Sequence, residues 1–74
     1  MSLKPKKRSL TLKGHQTSVS LEDRFWAAFC MIAKEKCKSI SALASEIDES
    51  RDIDVGLATA MRDYVLRYYI DKSK

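Results

Sequence analysis

Two periodicities divide the chain. Between residues 8 and 21 apolar and polar positions alternate; from residue 22 onward apolar positions recur every three to four residues. In the first stretch Leu10 and Leu12 alternate with Ser9, Thr11 and Lys13. After Gly14 and His15, Thr17, Val19 and Leu21 alternate with Gln16, Ser18 and Ser20. A period of two marks a half-buried strand. The Lys13-Gly14-His15 break makes the pair either a hairpin or a bent edge strand, with Gly14 supplying the positive φ of a turn. Parity sends Thr17, Val19 and Leu21 toward a core and Gln16, Ser18 and Ser20 outward.

Three helices follow. Residues 22–36 carry Phe25, Phe29 and Ile32 in one row, widened by Trp26 and Ala33. Glu22 and Asp23 suit the positive end of that helix, and Lys34, Lys36 and Lys38 its negative end. Ser39 is a natural N-cap for a second helix with the apolar row Ile40, Leu43, Ala44 and Ile47, closed by the polar residues 48–52. A third begins near Asp54 or Gly56 and carries Leu57, Met61, Tyr64, Val65 and Tyr68. Cys37 stands where a left-handed helix terminus favours glycine or asparagine. Residues 1–7, rich in lysine and with little to bury, predict a basic disordered arm. A domain over 8–70 and a disordered tail over 71–74 complete the division.

Size adds a constraint. The chain has 74 residues, and a core in that range supplies only about 3–5 kcal/mol. Such chains lean on a disulfide, a metal or a second subunit. Cys30 and Cys37 lie seven apart in one helix, about 10 Å along its axis, too far to bridge. With a single histidine, His15, no zinc ligand set exists. A second subunit remains, and a solitary strand with unpaired amides asks for the same remedy. The expectation is an obligate homodimer.

Charge changes the picture further. Net charge is +4, with fourteen Lys and Arg against ten Asp and Glu. Five of those cations, Lys4, Lys6, Lys7, Arg8 and Lys13, precede residue 16 and no acid does, which leaves the rest of the chain slightly negative. Localised positive charge suits a polyanion. No apolar run is long enough for a membrane span or a secretion signal, so no membrane partner and a cytoplasmic location are expected. His15 has no nucleophile or acid at motif spacing, and Asp48, Glu49, Asp52 and Asp54 lack the order of a calcium loop. Trp26, Phe25, Phe29, Met61 and Tyr64 sit at core spacing. Neither an enzyme nor a cofactor is expected.

The lead-in Arg8-Ser9-Leu10-Thr11-Leu12-Lys13-Gly14-His15, then Thr17-Ser18-Val19-Ser20-Leu21-Glu22, Phe25-Trp26 and the later Ala60-Met61-Arg62 carry a family pattern. Over residues 8–68 the chain resembles a small alphaproteobacterial ribbon-helix-helix family, within the wider superfamily of Arc and MetJ. That resemblance implies a mostly α fold with a short N-terminal β-ribbon, built as an intertwined homodimer, here with an extra N-terminal strand and a third helix. It also implies a two-stranded ribbon lying in the DNA major groove. Matched position by position, Gln16, Ser18 and Ser20 would contact bases, although better-known members often carry Arg or Lys there. Lys38, Ser39 and Ser41 would hold a phosphate at the start of the second helix. Lys4, Lys6, Lys7, Arg8 and Lys13 would track flanking phosphates. Thr17, Val19, Leu21, Phe25, Phe29, Ile40, Leu43 and Ile47 would form the dimer core. The implied activity is sequence-influenced DNA binding by a transcriptional regulator. The alternative is a protein-interaction module on the same core, as in toxin–antitoxin pairs.

Overall fold

A computed structural model describes residues 3–74. Met1 and Ser2, the start of the expected arm, lie outside the described residues. The element order is β1 (Lys6–Leu12), β2 (His15–Leu21), α1 (Asp23–Glu35), α2 (Ile40–Ser50) and α3 (Leu57–Lys72).

The two alternating runs form an antiparallel hairpin, in register from Lys6 opposite Leu21 to Leu12 opposite His15. Its turn is the dipeptide Lys13-Gly14, with φ of 51° and 81°. Two successive positive φ values define the tight turn whose twist matches that of paired strands. Asparagine is the usual residue at the first of these positions, and here lysine occupies it. This pairing corrects one expectation. β2 finds its partner in its own chain, so the solitary strand that asked for a second subunit does not exist. β1 also begins at Lys6, inside the segment expected to be a disordered arm, and α3 reaches Lys72, inside the expected tail.

Two helix boundaries have a local cause. Ser39 Oγ accepts a hydrogen bond from the Ala42 amide at 3.0 Å to cap α2, whereas Glu22, the N-cap residue of α1, makes no side-chain capping bond. At the end of α1 the Cys37 amide donates to Lys34 O (3.1 Å) and the Lys38 amide to Ala33 O (2.9 Å). These two bonds make the helix terminus whose central residue is left-handed, and Cys37 has φ 57°. A side chain in that region costs about 1–2 kcal/mol, offset in part by the greater unfolded-state freedom of glycine. Cys37→Gly should therefore stabilise the fold by about 0.5–1 kcal/mol, seen as a rise of several degrees in melting temperature. An unchanged or lower melting temperature would show that the turn is unstrained.

Two helices, α2 and α3, cover one face of the hairpin, and α1 lies against both of them. α2 packs mainly on β1 and α3 on β2. Leu10, Leu12, Val19 and Leu21 meet Phe29, Ile32, Ala33, Leu43, Ala44, Ile47, Met61 and Val65 in one core, and among the described residues no polar residue is buried with them. α3 is clasped to α1 at both ends. Arg62 bridges to Glu22 at one, and Glu35 accepts from Tyr68 and pairs with Lys72 (3.2 Å) at the other.

Candidate nucleic-acid interface

Register assigns the hairpin's two faces. Cross-strand partners share a face, so the uncovered one carries Lys7 and Ser20, Ser9 and Ser18, and Thr11 and Gln16. All six are exposed, and none is acidic. Among the described residues none of their side chains has a hydrogen-bond or ion-pair partner. A donor-bearing polar surface with one cation suits an extended polyanion better than an apolar partner. Gln16, Ser18 and Ser20 are thus brought together on the outward side. Lys7, Ser9 and Thr11 join them from β1. Alternation with Leu10 and Leu12 set Ser9 and Thr11 on the polar side, and the turn length placed them beside Ser18 and Gln16.

The remaining candidate cations lie elsewhere. Lys6 and Arg8 stand opposite Leu21 and Val19, on the helix-facing side. Arg8 Nη2 donates to Asp23 Oδ1 at 2.6 Å and lies 5.5 Å from the Trp26 ring centre, with its Nε buried and unpartnered. Lys6 pairs with the same Asp23 at 3.3 Å. These contacts tie the start of β1 to the start of α1. Lys13 at the turn pairs with Glu49 near the end of α2 (2.9 Å). Lys38 pairs with Glu46 (2.5 Å), while Ser39 is occupied as a cap and Ser41 is half-buried. The end of α2 tied to the hairpin turn is therefore its C-terminal one, about 16 Å along the helix from Ser39.

Of the expected dimer-core set, Val19, Leu21, Phe29, Leu43 and Ile47 are buried, and Phe25 and Ile40 are half-buried, in the core of the single chain. Thr17 departs from them. Register puts it on the helix-facing side opposite buried Leu10, yet it is exposed, above a hollow of about 300 Å³ lined by His15, Ser18, Arg51 and Leu57 among others.

The backbone of β2 also has an open side. Residues flanking a two-residue hairpin turn exchange both hydrogen bonds, and bonded pairs then alternate. The amides and carbonyls of Gln16, Ser18 and Ser20 accordingly point away from β1. Ser20 O accepts from Arg62 Nη2 at 3.0 Å. The same guanidinium grips the Glu22 carboxylate at 2.9 and 3.1 Å and lies 6.0 Å from the Phe25 ring centre. That grip holds the Glu22 carboxyl below its ordinary value. Arg62 thus fixes the end of the strand edge, a role that the sequence pattern alone did not disclose. Toward Gln16 and Ser18 the edge is unpaired by any other strand among the described residues.

No helix of the described residues is long and apolar enough to cross a membrane. A family description of a ribbon-helix-helix domain matches residues 5–69. No curated protein and no solved structure shows a significant match.

Proposed function

Because this chain belongs to the ribbon-helix-helix domain family, whose members are typically non-enzymatic modules of DNA-binding regulators and toxin–antitoxin systems, we propose that it is a homodimeric, sequence-influenced DNA-binding regulator. Two copies join β2 to β2 about a two-fold axis at Ser18, the middle residue of the strand. The uncovered polar face of the resulting sheet enters the major groove. The observation that carries this reading is the conjunction at β2: an unpaired strand edge, an exposed helix-facing Thr17 above a hollow, and an acid-free outer face. An open edge is a template for another strand, and a copy of β2 would cover both the edge and the hollow. Gln16 then offers a paired donor and acceptor to adenine, and Ser18 and Ser20 offer hydroxyls to base edges. Phosphate positioning falls to Lys7 and to the start of α2 at Lys38, Ser39 and Ser41, where the ion pair with Glu46 must open.

Titration of fluorescent random-sequence and genomic duplex at two salt concentrations tests it. The expected result is tight binding that resists competitor duplex and weakens as salt rises. Absence of binding even at low salt would overturn the reading. It would favour the protein-interaction alternative, to which the exposed Leu66, Tyr69 and Ile70 of α3 give a surface.

A further inference from the structure

We propose that β1 is a second DNA-contacting strand, whose outward Lys7, Ser9 and Thr11 bind the phosphates along the rims of the major groove that β2 and its twin occupy. This rests on the dimer reading above and adds to it residues from a strand outside the two-stranded ribbon.

Three observations carry it. The first is placement. Each outward residue of β1 stands directly across from an outward residue of β2, so the two rows form one continuous surface. The second is anchorage. On the opposite side of β1, Leu10 and Leu12 are 4% and 9% exposed, packed in the core. Arg8 and Lys6 hold the start of the strand to Asp23. Peeling β1 away would expose both leucines, at about 1.5–3 kcal/mol each. β1 is therefore carried onto the DNA with the sheet rather than displaced as a free arm.

The third is width. Pairing of β2 with its twin creates a four-stranded sheet in the order β1, β2, β2, β1. At about 4.8 Å per strand, β2 lies about 2.4 Å from the two-fold axis and β1 about 7 Å from it. The major groove is about 12 Å wide, or about 6 Å on either side of its centre. β2 fits inside, and β1 comes to rest over the edge, where phosphates line the groove. Its outward chemistry is suited to that place: one ammonium and two hydroxyls, all hydrogen-bond donors, with no carboxylate to repel the backbone. Base contacts from β2 would give selectivity, and contacts from β1 would give register and affinity for any sequence.

The test compares two substitutions with wild type, using a random-sequence duplex and the tightest sequence selected from it. Lys7→Ala should weaken binding to both duplexes by a common factor. It should also lower the slope of log affinity against log salt by about two, one per protomer. Ser9→Glu combined with Thr11→Glu places four acids of the dimer against phosphates and should abolish binding to both, while circular dichroism and sedimentation stay those of the wild type. Gln16→Ala, by contrast, should lower binding to the selected sequence more than to the random one. If wild type binds and both β1 variants bind like it with the wild-type salt slope, β1 is not a contact strand, although the DNA reading stands. If wild type binds neither duplex, both readings fall together.

Discussion

Replacing Phe29 with alanine should leave little folded protein at room temperature. Phe29 has no exposed surface and lies near the middle of α1, with its ring 6.3 Å from that of Trp26. α1 packs against both other helices, so a void there is bordered by several elements at once. Truncation of a buried phenylalanine costs about 3–5 kcal/mol, and a single core in this size range provides about 3–5 kcal/mol in total. The two amounts nearly cancel, which makes the loss of the cooperative urea transition the expected reading at low micromolar protein. Dimerisation would add stability by mass action, so raising the protein concentration should recover part of the transition. A midpoint displaced by less than the equivalent of about 1 kcal/mol would show that the layers do not converge on this side chain.

Ser18→Pro should give a folded monomer with no measurable DNA affinity. Proline cannot donate from its backbone, and sheets accept it only where the amide faces solvent. The Ser18 amide points away from β1, so the hairpin keeps its ladder. The two-fold pairing proposed above loses the reciprocal bonds at its centre, one per protomer, and meets a ring at each. Two hydrogen bonds at about 0.5–1.5 kcal/mol each, with steric conflict added, weaken dimerisation at least about tenfold. Sedimentation reads the mass, and far-UV circular dichroism reads the fold. Two controls isolate the cause. Ser18→Ala keeps the amide and should remain dimeric. Ser9→Pro places the ring on the outer side of β1, at the register partner of Ser18, and should remain dimeric too. A Ser18→Pro protein that sediments as a dimer would locate the interface elsewhere. That outcome would turn attention to the exposed face of α3.

Side-chain type and spacing were enough to find the elements. Ser39 announced the start of α2 and the apolar rows announced which sides of the helices are covered, whereas Cys37 left open whether the turn is strained or α1 ends differently, and the backbone adopts the left-handed conformation there. The first two features depend on interactions within one helical turn, so they can be read from neighbouring residues. Strand parity likewise sorted Val19 and Leu21 from Ser18 and Ser20.

Pairing was decided by the fold, because it is non-local. Whether Lys13-Gly14 closes a two-residue turn fixes the register of fourteen strand residues, and a slip of one residue would move every side chain to the other face. That choice gave β2 a partner in its own chain, so the strand needs no twin to satisfy the side of its backbone that faces β1. It also divided the basic residues. Their number and sign were plain from composition, but Lys6 and Arg8 turn toward Asp23 and Trp26 while Lys7 faces outward. Alternation sets which side chains share a face and which of the two faces is apolar, and only the packing of α2 and α3 beneath the sheet supplies the layer that covers it.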